Sequence, residues 1–153
     1  MAITQVLLVE DNLIDVRLLR AAFSRVPEWE TALQVIADGE EAIRQLLTGE
    51  SKPDLIILDL NLPKKDGADV LRVIRQDLTC KRVPVIIFSS APEDAVKLKM
   101  NSVNVEADAY VRKPTEVAPY MLLAKHFRRC YEAALRFAAH TPAPARPGVA
   151  SCP

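Results

Sequence analysis

The sequence predicts an α/β fold, a doubly wound parallel sheet with helices on both faces. Three observations predict it. Short apolar runs of strand length recur five times along the chain. Between them, apolar residues return at intervals of three and four, the helical period. The joining loops are of ordinary length, so the chain alternates β and α from end to end, as parallel sheets do.

Gln5-Val-Leu-Leu-Val9 is the first strand, followed at once by Glu10-Asp11-Asn12. A helix then carries Ile14, Leu18, Ala21, Ala22 and Val26, with Asn12 or Asp11 as its cap. Ala32-Leu-Gln-Val-Ile-Ala37 is a second strand, more exposed because Gln34 interrupts it. Asp38-Gly39 turns into a short helix marked by Ala42, Ile43, Leu46 and Leu47. Leu55 to Leu58 form an unbroken apolar run, the mark of a strand buried on both faces. Asp59 closes it, and Pro63 with Asp66-Gly67 supplies the turn before a helix on Val70, Leu71 and Ile74 that runs to about Asp77. Val83-Pro-Val-Ile-Ile-Phe88 is the fourth strand, ended by Ser89-Ser90, with Pro92 and Glu93 opening the next helix. Ala109-Tyr-Val-Arg112 is the fifth, closed by Lys113-Pro114. One long helix carries Val117, Met121, Leu122, Ala124, Phe127, Tyr131 and Leu135, with Pro119 in its first turn.

A chain of 153 residues is one domain by size. It is read as a folded unit over residues 1–140 and a disordered Pro/Ala-rich tail over 141–153. Lys plus Arg and Asp plus Glu balance at 20 each, which gives no reason to expect nucleic acid or an anionic membrane as partner. No apolar run approaches the roughly 20 residues of a membrane span, and the N-terminus lacks a signal-peptide pattern. Cys80, Cys130 and Cys152 have no paired spacing and are expected as reduced thiols, so the expected location is the cytoplasm. His126 and His140 have no ligand pattern beside them.

In such a sheet every strand presents its carboxyl end to one crevice. Glu10, Asp11, Asp59, Ser89 and Lys113 all arrive there. Singly, each has an ordinary explanation, since acids and Ser cap helices and lysines populate surfaces. Jointly they describe a chemistry. Three clustered acids repel one another unless a cation joins them, and hard oxygen ligands suit Mg²⁺. Asp59 is then placed to attack phosphorus as a carboxylate nucleophile, giving an acyl phosphate. The Ser89 hydroxyl and the Lys113 ammonium are suited to two of the phosphoryl oxygens.

The motifs Leu-Val-Glu-Asp-Asn12, Asp-Leu-Asn-Leu-Pro-Lys-Lys-Asp-Gly67, Val-Pro-Val-Ile-Ile-Phe-Ser89 and Ala-Tyr-Val-Arg-Lys-Pro114 stand in an order that resembles the receiver domains of two-component response regulators. The resemblance covers about residues 4–135. It implies a flavodoxin-like (βα)5 sheet of order 2-1-3-4-5 and phosphoryl transfer from a histidine kinase to Asp59. It further implies Glu10, Asp11, Asp59 and the backbone carbonyl of Asn61 as Mg²⁺ ligands, and Ser89 with Tyr110 as the switch pair. Lys113 matches the family's lysine, whose peptide to Pro114 is usually cis. Such a protein has no enzyme activity beyond catalysing its own phosphorylation and dephosphorylation. No helix-turn-helix or other output segment follows, so a stand-alone regulator is expected, and the Asp59–Gly67 motif is similar to that of single-domain regulators that partner phytochrome-type sensor kinases. In one departure, the loop before the fifth strand lacks the usual glycine; Asn104 is the residue able to adopt its left-handed conformation.

Rival chemistries fit less well. A haloacid-dehalogenase-type phosphatase needs a second Asp two residues after the nucleophile, where this chain has Asn61. A flavodoxin needs a phosphate-binding loop after the first strand, where Glu10-Asp11 would repel the anion. A pseudo-receiver, the same fold used only as an interaction module, has no need of all five site residues. The last helix also carries more distal apolar residues than one buried stripe requires, so Phe127, Tyr131, Leu135 and Phe137 predict a homodimer interface.

Overall fold

A computed structural model of the chain describes residues 2–140. The Pro/Ala-rich tail expected over 141–153 lies outside the described residues. Strands β1 (Thr4–Val9), β2 (Thr31–Ile36), β3 (Leu55–Leu58), β4 (Val85–Ser89) and β5 (Ala109–Arg112) form one parallel sheet of order β2-β1-β3-β4-β5. They alternate with α1 (Leu13–Phe23), α2 (Gly39–Thr48), α3 (Gly67–Gln76) and α4 (Glu93–Ser102), and the chain closes with α5 (Val117–Tyr120) and α6 (Leu123–His140).

The central strands are apolar throughout because both faces are covered, and successive side chains go to opposite cores. Leu7, Val9, Ile56, Leu58, Val85 and Ile87 pack with Ala42 and Leu46 of α2, Val70, Leu71 and Ile74 of α3, and Val96 and Met100 of α4. Their neighbours Val6, Leu8, Leu55, Ile57, Ile86 and Phe88 pack on the other side against Leu19 and Phe23 of α1, Tyr120 of α5, and Phe127 of α6. The alternation thereby decides which helix each residue meets. At the edge, β2 is only partly buried, as the polar Gln34 in its middle predicts.

Local chemistry sets the boundaries. The Asn12 side chain caps α1 by accepting from the Ile14 and Asp15 amides at 2.9 and 3.2 Å. Asp38 caps α2 and Asp66 caps α3 in the same way. The ladder of β4 begins at Val85, two residues later than the apolar run predicts; Pro84 has no amide to give it, and the Val85 amide is held by Asp108 Oδ2 at 2.8 Å. Asn104 does take the left-handed conformation, with φ 54°, and so does Lys64, with φ 66°.

Four expectations need correction. The last helix is two helices, broken at Met121 and Leu122, with Tyr120 turned inward to Asp15 and Leu122 exposed. Ile14 is 70% exposed, because the buried stripe of α1 runs through Asp15, Val16, Leu19, Ala22 and Phe23 instead. Phe127 is fully buried between Phe23 and Phe88, with ring centroids 6.1 and 5.5 Å away, and belongs to the core and not to an interface. There is no cis peptide among the described residues, so the Lys113–Pro114 bond is trans; the Lys113 amide is held to Ser89 O at 2.8 Å.

Candidate functional site

The carboxyl ends of β1, β3, β4 and β5 bring Glu10, Asp11, Asp59, Ser89 and Lys113 to one crevice, as their places in the sequence predict. Hydrogen bonds between strand ends set their relative heights. The Glu10 amide donates to Ile36 O, the Asp59 amide to Val9 O, and the Lys113 amide to Ser89 O, at 3.0, 3.0 and 2.8 Å. Gly67 keeps the loop after Asp59 tight. A Cβ there would stand 2.2 Å from the Asp59 carbonyl oxygen, so only glycine lets α3 begin this close to β3.

Carboxylate oxygens of Glu10, Asp11 and Asp59 lie within 4.8 Å of one another. Glu10 and Asp59 are buried and Asp11 is exposed, so the cluster has a sealed floor and an open lip. Asn61 follows on the exposed loop, its amide 3.3 Å from Asp59 Oδ1. Glu10 Oε1 accepts from the Asn12 amide at 3.1 Å. Its Oε2 is buried and is met by the Lys113 ammonium at 2.8 Å. Burial pushes the Glu10 carboxyl up to about 7, against the pull of Lys113 and with the added repulsion of Asp59. Three carboxylates this close, two of them buried, with a single lysine to offset them, fit a hard divalent cation.

Lys113 closes the opposite side. Its ammonium donates to Asp59 Oδ2 at 3.3 Å and to Asp15 Oδ2 at 2.9 Å. Burial alone would lower its pKa, but the bonds to Glu10 and Asp15 and the charges of Glu10 and Asp59 outweigh that and raise it. The ammonium therefore stays charged beside the acid cluster. The Ser89 side chain is fully buried, its Oγ accepting from the Ala91 amide at 3.1 Å. Tyr110, half-buried on β5, donates its hydroxyl to the Ala91 carbonyl. The two expected switch residues thus hold the same residue of the β4–α4 loop.

Two participants were missed in the sequence. Asp15 lies on the buried face of α1, and Tyr120 donates its hydroxyl to Asp15 Oδ1. An acid inside an apolar helical stripe signals a buried partner, and Asp15, Leu19, Ala22 and Phe23 carry that signal.

This sheet, acid cluster and lysine define a receiver domain, and the comparisons agree. Residues 6–124 match the family model of the response regulator receiver domain, and the chain belongs to that family. Within it, the chain is similar to regulators of phytochrome signalling. A crystal structure of RcpA, a phosphorylated cyanobacterial phytochrome response regulator, superposes with a TM-score of 0.72 at 33% identity, covering 86% of this chain and 96% of that one. Response regulator Rcp1 of Synechocystis is 37% identical over 91 residues, 56% of this chain and 61% of its own length. Its Mn²⁺-bound crystal structure superposes with a TM-score of 0.61 at 30% identity, covering 93% of this chain and 99% of that one. A protein-glutamate methylesterase/protein-glutamine glutaminase of Trichodesmium erythraeum is 29% identical over 125 residues, 82% of this chain. The chain spans only 34% of that relative's length and less than two thirds of Rcp1 in the curated match. No helix among the described residues is long and apolar enough to cross a membrane.

Proposed function

We propose that the protein accepts a phosphoryl group from a histidine kinase on Asp59, in a reaction that requires Mg²⁺, and that its output is a change in partner or self association. The observation that carries this reading is the cluster of Glu10, Asp11 and Asp59 carboxylates at one strand edge, two of them buried, with a charged Lys113 across from them. Glu10, Asp11, Asp59 and the Asn61 carbonyl would hold the metal. When bound, Mg²⁺ offsets the repulsion between these acids and an incoming phosphoryl group.

The residues of the chain supply the rest. Asp59 presents a carboxylate oxygen that forms the new O–P bond as the P–N bond of phosphohistidine breaks and the imidazole keeps the electron pair. Lys113 neutralises one phosphoryl oxygen. Ser89 gives up the Ala91 amide to donate its hydroxyl to another, which loosens the loop that Tyr110 also holds. A free-energy difference of a few kcal/mol between the two loop positions is enough for those contacts to shift the population. No activity beyond this self-catalysed gain and loss of phosphate is proposed.

The donor is proposed to be a phytochrome-type sensor kinase, on the strength of the likeness to RcpA and Rcp1. The protein is further proposed to form a homodimer through the distal part of α6. This helix of 18 residues runs for about 27 Å, and its outer half exposes Leu135 and Phe137 beyond Tyr131, which stacks on Trp29. The test of the donor is direct transfer. Radiolabelled phosphoryl on an autophosphorylated phytochrome-type kinase should move to this chain within minutes and not to its Asp59→Asn variant. Label that stays on the kinase would overturn the assignment of the donor.

A further inference from the structure

The Lys113 ammonium has three carboxylates around it, at 2.8 Å from Glu10, 2.9 Å from Asp15 and 3.3 Å from Asp59. They differ in what the proposed reaction does to them. Glu10 and Asp59 belong to the acid cluster, and Asp59 is also the acceptor. Asp15 belongs to neither. It enters from the first turn of α1 and is 8% exposed.

A buried carboxylate is costly unless both of its oxygens are satisfied. Here Oδ2 accepts a hydrogen bond from the Lys113 ammonium, and Oδ1 accepts one from the Tyr120 hydroxyl. Tyr120 is itself 4% exposed, and its ring lies 6.2 Å from that of Phe88. The Phe88 ring is also 5.5 Å from Lys113 Nζ. Besides its contacts to the acid cluster, the lysine therefore has a second set from α1, β4 and α5.

Resting on the reading of Asp59 as phosphoryl acceptor, we propose that Asp15 is a positioning residue for Lys113, with Tyr120 as its buttress. A bound cation would engage the carboxylates of Glu10 and Asp59, and phosphorylation would modify Asp59. Asp15 is the anchor that neither event consumes. Lysine has a long, flexible stem that samples many rotamers when free; Asp15 keeps the ammonium at the edge of the site where phosphoryl oxygens arrive. The Tyr120 hydroxyl keeps the carboxylate from turning away, which ties the α5 turn to the reacting centre.

The test uses Asp15→Asn. An Asn side chain carries no charge: at best it offers Lys113 a neutral oxygen while its amide donates to the Tyr120 hydroxyl, so the charge-assisted bond to the ammonium is lost. The first arm needs no phosphoryl donor: the ¹⁵N resonance of the Lys113 ammonium is followed in the full chain. It is expected to exchange slowly in the wild type, to be lost in Asp15→Asn, and to persist in Asp69→Asn, which alters an exposed ion pair of α3. The second arm measures phosphorylation by acetyl phosphate with Mg²⁺. Asp15→Asn should slow it about tenfold, the loss expected for one charge-assisted hydrogen bond, and Tyr120→Phe several-fold. In a Lys113→Ala background, Asp15→Asn should have no further effect. A Lys113 resonance unchanged in Asp15→Asn would overturn the proposal. So would an equal loss of rate with and without Lys113, which is the mark of a purely structural acid. If Asp15→Asn does not fold, Tyr120→Phe carries both arms. If the wild type takes up no phosphoryl group, the acceptor reading fails while the resonance still decides the role of Asp15.

Discussion

Lys113 Nζ and Glu10 Oε2 pair at 2.8 Å in the floor of the site, a buried ion pair beside the other acids of the cluster. Burial holds the Glu10 carboxyl near 7, above its usual 4.5. Between those two values the folded protein keeps a proton on Glu10 that the unfolded chain has lost. The folded state binds more protons there, so metal-free stability falls as pH rises through that window. Thermal melts in EDTA should show this slope. Glu10→Gln should flatten it and gain about 1–3 kcal/mol at pH 8, while weakening Mg²⁺ binding. Parallel slopes in the two proteins would contradict the assignment.

Gly67 governs how closely α3 approaches the Asp59 strand end. Gly67→Ala places a methyl group 2.2 Å from a backbone oxygen, with no flexible side chain to yield. The expected loss is about 2–3 kcal/mol in a denaturant titration. Phosphorylation should fall as well, because the loop carrying Asn61 must move. Stability and rate both unchanged would show that the turn has room the geometry denies it.

Core and rim separate on α6. Phe127→Ala empties a fully buried aromatic site and should cost about 3–5 kcal/mol. Leu135→Glu, at a position 44% exposed, should leave the melting temperature within a degree or two and turn a dimer into a monomer in light scattering. A monomeric wild type at tens of micromolar would rule out the proposed self-association.

Ser89→Ala removes the acceptor of the Ala91 amide and the hydroxyl proposed to reach the phosphoryl group. The variant should still be phosphorylated, more slowly, and its partner binding should no longer respond. Binding that remained fully phosphorylation-dependent would remove the hydroxyl from the switch.

The sheet was legible in the sequence because strands buried on both faces are apolar throughout; the acid pair, Asp59 and Ser89 were legible because each ends such a run, and Lys113 because it closes the last strand. What escaped depends on direction around a helix or on partners far along the chain. Ile14 fits the helical period yet points to solvent, since the stripe of α1 is centred on Leu19 and Ala22. The break after Tyr120 follows from that ring turning inward to Asp15, a partner 105 residues away. Phe127 is apolar in either setting, and only the rings of Phe23 and Phe88 assign it to the core. The trans bond at Lys113–Pro114 departs from the family expectation, and nothing in the residues around it predicts that.

The central claim is that Asp59 takes a phosphoryl group, and intact-mass spectrometry after incubation with acetyl phosphate and Mg²⁺ tests it most directly. The account predicts one phosphoryl adduct that disappears in EDTA and is absent from Asp59→Asn. No adduct on the wild type, together with no binding of beryllofluoride, would contradict it and leave the fold as an interaction module without acceptor chemistry.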